Sequence, residues 1–251
     1  MEKFFDKIRK TFNDILFPEE IKCIFCDKDI NHFDEKPYCN ECEKSLPFNN
    51  EKRCKKCDME IFGDGEVCDF CKSNHKVFDK TRAVFKYESV VRKTVLNFKE
   101  NNQKFLAKPM ASIMHNSLPQ DMKDFDVIVP VPLSPKSLKR RGYNQSEFLA
   151  IEIAKLCEKP ALLDVLLKER ETQHQKELSY KDRQQNLAGA FKIQHRNLIK
   201  DKKILLIDDV MTTGATANAC SEILKKFCKK VYVLTFARNM LEQKEKKKQK
   251  I

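Results

Sequence analysis

Two groups of residues carry the chemistry in this 251-residue chain. The first is the segment Ile204–Thr216, which reads ILLIDDVMTTGAT. Four aliphatic residues lead into adjacent carboxylates, Asp208 and Asp209, and Val210, Met211, Thr212, Thr213, Gly214, Ala215 and Thr216 follow. The aliphatic run reads as a buried strand of a parallel sheet, and ligands of such sheets bind beyond the carboxyl ends of the strands. Thr216–Phe227 repeats apolar residues at Ala219, Cys220, Ile223, Leu224 and Phe227, which is helical spacing. The turn between strand and helix therefore gathers backbone N–H groups at the positive end of a helix dipole, an anion site. Thr212, Thr213 and Thr216 add hydroxyls, and Gly214 allows close backbone approach. A sugar 5′-phosphate fits this cradle, with the two acids a ribose length away to accept hydrogen bonds from its 2′- and 3′-hydroxyls. A Walker B magnesium site or a plain surface turn are the competing readings. The chain has only five glycines, at 63, 65, 142, 189 and 214. None forms a G-x-G-x-x-G fingerprint or a Walker A loop, so a Walker B role has no partner motif.

The second group is cysteine. Eight of the eleven cysteines fall between residues 23 and 71. Cys23-x2-Cys26 and Cys39-x2-Cys42 are separated by twelve residues, and Cys54-x2-Cys57 and Cys68-x2-Cys71 by ten. This is one unit repeated. Each C-x2-C turn presents two thiolates to one side of a metal, and two such turns close a tetrahedral S4 zinc site. Redox dithiols or an iron–sulfur cluster are the alternatives. An S4 site has no open position, so the zinc is expected to be structural and to supply much of the folding energy of these short segments. The spacing leaves both sequential and interleaved pairing of the knuckles open. His32 and His75 are expected to be surface residues, since eight thiolates complete two sites. Phe25, Phe33, Phe62 and Phe70 read as ribbon core, with stacking on single-stranded bases as the alternative.

Around these groups the rest of the chain supplies the scaffold. Phe4, Phe5, Ile8, Phe12, Ile15 and Leu16, interleaved with Lys3, Lys7, Arg9 and Lys10, predict an amphipathic helix over residues 1–18. Its apolar stripe suits packing on protein better than lying on a membrane. Residues 19–78 hold the cysteine repeat. From 79 to 240 the pattern alternates. Strands are expected at Thr81–Tyr87, Asp126–Val131, Leu162–Leu167, Ala190–Gln194, Ile204–Ile207 and Val231–Ala237. Helices are expected at Val90–Phe98, Phe105–Leu118 (interrupted or begun near Pro109), Tyr143–Cys157 and Thr216–Phe227. Such alternation predicts an α/β fold with a mostly parallel sheet covered on both faces. Residues 241–251 form a Lys-rich tail.

Composition excludes some classes. Lys and Arg number 49 against 37 Asp and Glu, a net charge of +12, which suits contact with nucleic acid and equally suits a solvated basic surface. The longest apolar runs, Val127–Leu133 and Val231–Ala237, are far short of the roughly 20 residues of a membrane helix. The charged N-terminal segment lacks a secretory h-region, so a cytoplasmic protein is expected, with the inner face of the membrane as the alternative. Cys157 and Cys220 lie on apolar helix faces and read as core thiols.

The segment ILLIDDVMTTGAT resembles the 5-phosphoribosyl pyrophosphate (PRPP) motif of type I phosphoribosyltransferases. Further stretches resemble the ComF/ComFC family of competence proteins: Leu16-Phe17-Pro18, Val129–Leu133, Lys139–Gln145, and Thr172-Gln173 followed by Leu178, Arg183, Asn186 and Gly189–Phe191. The resemblance spans about residues 16–237 and implies a double zinc ribbon followed by a parallel-sheet type I phosphoribosyltransferase domain. It implies that Asp208 and Asp209 hold the ribose hydroxyls of PRPP as the catalytic acids, and that Thr212–Thr216 wrap the 5′-phosphate. The loop after Val131 would face the pyrophosphate, with Arg140, Arg141 and Lys99 neutralising it. Gln173, Arg183 and Asn186 would belong to a flexible loop over the site, and Mg2+ would accompany PRPP. The family is linked to DNA uptake in natural transformation, so single-stranded DNA and other competence proteins are the expected partners, without membrane insertion. An active phosphoribosyltransferase with an unknown nucleobase-like acceptor, and a non-catalytic PRPP sensor, are the alternative functions.

Overall fold

The structure is a computed structural model and describes residues 22–30, 36–49, 52–61, 63–170, 187 and 189–239. The helix expected over 1–18, His32, Phe33, Phe62, the loop residues Gln173, Arg183 and Asn186, and the tail 241–251 lie outside the described residues. The chain divides into two compact units, Met1–Leu46 and Pro47–Ile251.

The smaller unit is organised by the first cysteine quartet. A Lys22–Asp29 bridge closes the first C-x2-C turn, and Cys39 caps helix α1 (Asn40–Ser45) by accepting the Cys42 N–H on Sγ at 3.4 Å. Phe25 is buried with its ring 5.9 Å from that of Tyr38, which is the ribbon-core role expected for it. The second quartet repeats this design inside the larger unit. Arg53 bridges Glu60, and Asp58 adopts the left-handed backbone that Asp27 adopts in the first knuckle. Cys68 precedes helix α2 (Asp69–Ser73).

The larger unit is built on a four-stranded parallel sheet. Its strands are β1 (Lys80–Lys86), β2 (Val127–Pro130), β5 (Lys203–Met211) and β6 (Lys230–Arg238), in the order β1-β6-β5-β2. A two-stranded antiparallel pair, β3 (Leu166–Lys168) and β4 (Phe191–Ile193), stands apart from it. The helices are α3 (Ser89–Glu100), α4 (Ala107–Asn116), α5 (Pro135–Arg141), α6 (Gln145–Cys157) and α7 (Ala215–Leu224). Strand residues alternate between faces, so the sheet has two cores. One face is covered by α6, which packs on β2 and β5, and by α4, which packs on α6 and β6. Val127, Val129, Ile204, Leu206, Val231 and Val233 point the other way. They share a core with Ala217, Cys220 and Leu224 of α7, with Leu166 and Phe191 of the β3–β4 pair, and with Cys54, Cys57, Met59 and Cys68 of the second knuckle.

Most element ends shift by one to three residues from the sequence expectation, and three elements differ for a physical reason. Strand β5 continues through both acids to Met211 because β6 pairs with it that far, Asp208 opposite Thr235 and Met211 opposite Arg238. The strand expected at Leu162–Leu167 shrinks to Leu166–Lys168. Ala161 makes only an isolated bridge to Ile128 before the chain leaves the sheet edge to pair with β4. Helix α5 was not anticipated, since seven residues without an apolar stripe carry no periodicity. Its end signals are nevertheless present: Ser134 Oγ accepts the Ser137 N–H at 3.2 Å, Pro135 occupies the first turn, and Gly142 ends it at φ +78°. Pro109 falls in the first turn of α4, where it removes no hydrogen bond.

Candidate functional site

The turn between β5 and α7 lies at the carboxyl end of the central strands. Asp208, Val210, Met211, Thr212, Gly214, Ala215, Thr216 and Ala217 line an open depression of about 220 Å³ there, counting the solvent in its mouth. Gly214 sits at φ +76° immediately before α7. A Cβ at this position would meet Met211 Sδ at 3.5 Å, an ordinary contact. The left-handed backbone, not lack of space, is therefore what demands glycine. Thr212 is exposed and Thr216 half-buried, both on the depression. Thr213 differs from its expected role. It is buried, and its Oγ1 accepts the Ala215 N–H at 3.2 Å, so it shapes the turn from within.

The two acids have distinct surroundings. Asp208 Oδ1 accepts the Ser146 hydroxyl at 3.1 Å and the Asp209 N–H at 2.9 Å. Burial, reinforced by the adjacent Asp209 charge and opposed by Lys99, pushes its carboxyl up to about 7. Asp209 is buried and pairs with Lys99 Nζ at 2.9 Å. Burial alone would lower the Lys99 ammonium, but the Asp209 carboxylate outweighs it and holds Lys99 above the ordinary lysine value. Lys99 lies in the last turn of α3, and its carbonyl accepts Gln145 Nε2 at 3.3 Å. Gln145 Oε1 in turn accepts from Arg141 Nη1 at 3.2 Å, and Arg141 Nη2 reaches Glu100 Oε1 at 3.4 Å. The fold thus brings Lys99 to the acids and Arg141 to the Lys99 neighbourhood, whereas Arg140 is exposed and outside this network. The loop after Val131 also arrives at this end of the sheet: Val131 N–H donates to the Ile207 carbonyl at 2.9 Å, and Asn144 Nδ2 donates to the Val131 carbonyl at 3.1 Å.

Three further residues reach the site without a local sequence signal. Ser146 follows the Asn144-Gln145 pair and reaches Asp208 only because α6 packs on β5. Lys76, 2% exposed, donates to the Thr213 carbonyl at 3.3 Å. Arg238, 0% exposed, contacts Met211 Sδ at 2.7 Å. Ser146 and Lys76 are separated from their partners by more than sixty residues and Arg238 from Met211 by 27, juxtapositions no local spacing encodes.

The cysteines group as Cys23, Cys26, Cys39, Cys42 and as Cys54, Cys57, Cys68, Cys71, the Sγ atoms of each quartet lying within 4.8 Å of one another. Sequential pairing of the knuckles is therefore the arrangement adopted. The donor chemistry fits zinc. Four thiolates at the usual Zn–S length of about 2.3 Å define a tetrahedron with an edge of about 3.8 Å. Cys26 and Cys39 stand 3.7 Å apart, as do Cys57 and Cys68. Backbone N–H groups also point at the sulfurs, Cys57 and Cys68 donating to Cys54 Sγ at 3.5 and 3.4 Å. His75 is exposed and belongs to neither quartet. Cys220 is fully buried, and burial raises its thiol well above the ordinary value, as expected for a core thiol; Cys157 is half-buried.

Comparison with known proteins agrees in both halves. Residues 12–72 match the double zinc ribbon domain family, and residues 137–251 match the phosphoribosyl transferase domain family. Competence protein F of Haemophilus influenzae is 29% identical over 82% of this chain and 91% of its own length. Competence protein ComFC of Streptococcus pneumoniae is 28% identical over 82% of this chain and 94% of its own. Along most of its length the chain resembles the ComF/ComFC competence proteins. The DNA utilization protein YhgH of Escherichia coli is 22% identical over 74% of this chain and 83% of its own. In this ComF-like chain the quartets are structural zinc sites, and the parallel-sheet unit is a phosphoribosyltransferase-type domain. Among the described residues no helix is long and apolar enough to cross a membrane.

Proposed function

We propose that this chain binds PRPP at the β5–α7 turn and acts in the handling of single-stranded DNA during natural transformation. The observation that carries the binding is the joining of Asp208 with Thr212, Gly214, Ala215 and Thr216 around one depression at the carboxyl end of the sheet. Backbone N–H groups at the start of α7, with the Thr212 and Thr216 hydroxyls, receive the 5′-phosphate. Asp208 and Asp209 accept the ribose hydroxyls, Ser146 holding the first carboxylate and Lys99 the second. Lys99 and Arg141 supply positive charge to the pyrophosphate. Mg2+ bound with PRPP would neutralise part of the ligand's negative charge. The DNA role is carried over from the relatives named for competence and DNA utilization, and a net charge of +12 suits a polyanionic partner.

Titration calorimetry with Mg2+ and PRPP tests the site. Binding is expected in the wild type and is expected to be lost in Asp208→Asn combined with Asp209→Asn, with zinc content and circular dichroism reporting that the fold survives. Unchanged binding in that variant would refute the assignment. Pyrophosphate release in the presence of a panel of nucleobases separates transfer from binding alone: release makes the protein an active transferase, and its absence supports a binding or sensing role.

A further inference from the structure

We propose that the second zinc site anchors the phosphate turn, with Arg238 and Lys76 as the positioning residues that join the two. The proposal rests on the PRPP reading for its affinity measurement and on geometry for the rest. Arg238 ends β6 and is completely buried. Its Nη1 donates to the carbonyl of Cys57, a ligand of the second quartet, at 2.6 Å. The same nitrogen lies 2.7 Å from Met211 Sδ at the end of β5. Its Nε and Nη2 are buried and have no hydrogen-bond acceptor among the described residues. A buried guanidinium with unmatched N–H groups is costly unless negative charge stands close by. Zinc with four thiolates is a dianionic group, and the Arg238 guanidinium reaches the backbone of one of its ligands, Cys57. The guanidinium therefore balances the metal centre while its tip grips Met211. Met211 is in turn the residue that underlies Gly214, the left-handed corner of the phosphate turn.

Lys76 makes a second connection. It follows α2, the helix that carries Cys71, and is 2% exposed. Its ammonium stands 4.7 Å from the centre of the Phe70 ring and donates to the Thr213 carbonyl at 3.3 Å. Beside it, the Val77 N–H donates to Asn218 Oδ1 of α7 at 2.8 Å. The first residues after the knuckle thus hold the turn and its helix from below. The shared core of Cys54, Cys57, Met59 and Cys68 with α7 gives both contacts a rigid base. The first quartet lies in the other compact unit.

The test uses the full-length zinc-loaded protein. Hydrogen exchange read by mass spectrometry follows residues 211–216 against the core of β5, and calorimetry follows Mg2+-dependent PRPP binding. Arg238→Met and Lys76→Met keep an unbranched stem at each position and remove the charged tip. Each is expected to speed exchange in the turn, to leave exchange of Ile204–Ile207 as in the wild type, and to weaken PRPP by about tenfold or more through displacement of the turn. Arg238→Met is also expected to weaken zinc at one site by about tenfold to a hundredfold in chelator competition, as loss of an outer-sphere partner does. Cys23→Ser combined with Cys26→Ser is expected to lose one zinc and leave the turn unchanged. Coupling between sites is reciprocal, so PRPP is expected to slow removal of one zinc and not of the other. The proposal is overturned if both methionine variants leave turn exchange as it was, or if the first-quartet variant loosens the turn as much as they do. Should Arg238→Met not fold, Lys76→Met alone decides on the same criterion. A wild type that binds no PRPP refutes the preceding functional reading, and the exchange comparison still decides the anchoring.

Discussion

The two adjacent carboxylates differ because their neighbours differ. Asp209 is committed to an ion pair with Lys99, and both partners are largely removed from water. Removing one partner of such a pair leaves the other buried and uncompensated, the costly case. Asp208 has hydrogen-bond donors in Ser146 and the Asp209 N–H but no direct cation among the described residues, and burial raises its carboxyl to about 7. A ribose hydroxyl donates to the ionised form, so ligand binding lowers this raised value and releases a proton. PRPP affinity is therefore expected to rise as pH increases from about 5 towards about 7, and then to level off as the free carboxyl becomes ionised. Calorimetry in buffers of different ionisation enthalpy measures the proton released. In Asp208→Asn this component should vanish; an identical pH profile in that variant would assign the titration to another group.

At the scale of elements, the site is a strand and a helix joined by a turn with one indispensable backbone conformation. Strand β5 is paired on both sides, by β2 up to Ile207 and by β6 up to Met211, so the acids and the start of the turn are fixed by ladder hydrogen bonds rather than by loop packing. Gly214 then reverses the chain at φ +76° into α7, with open contact distance around its missing Cβ. Gly214→Ala is expected to cost about 1 kcal/mol from the left-handed conformation alone. For a unit of this size that corresponds to a fall in Tm of roughly 3 °C. The variant should also bind PRPP more weakly, because relieving the strain rotates the N–H groups that face the phosphate. A Tm equal to the wild type would show that the turn tolerates another conformation.

At the scale of the whole molecule, the repeat of two knuckles serves two different units. The first quartet organises residues up to Leu46, while the second is part of the core beneath the sheet. Duplication of a motif therefore does not imply duplication of its task. The net charge of +12 belongs to this scale too, being a property of the full chain. If single-stranded DNA is the partner, its binding constant should fall steeply with salt, the logarithmic slope being about −0.7 for each phosphate neutralised. Fluorescence anisotropy with a labelled oligonucleotide from low to physiological salt measures the slope. A flat response, or no binding at low salt, would remove the nucleic-acid branch and leave the PRPP site untouched.

What sequence alone could decide was set by short-range chemistry. The C-x2-C turns, the aliphatic run into Asp208-Asp209 and the Thr/Gly turn are local patterns whose spacing specifies metal knuckles and an anion cradle, and the strand–helix alternation specifies a parallel sheet. The tertiary structure decided everything that depends on residues distant in the chain. It fixed which cysteines share a quartet, carried β5 past its acids by pairing with β6, and turned Thr213 inward. It also set Ser146 on Asp208 and Lys99 on Asp209, and placed two buried cations between the second knuckle and the phosphate turn. Periodicity reports which face of an element is buried, but not which element covers it. Contacts such as Arg238 with Cys57 exist only once the sheet has ordered its strands and the knuckle has packed beneath them.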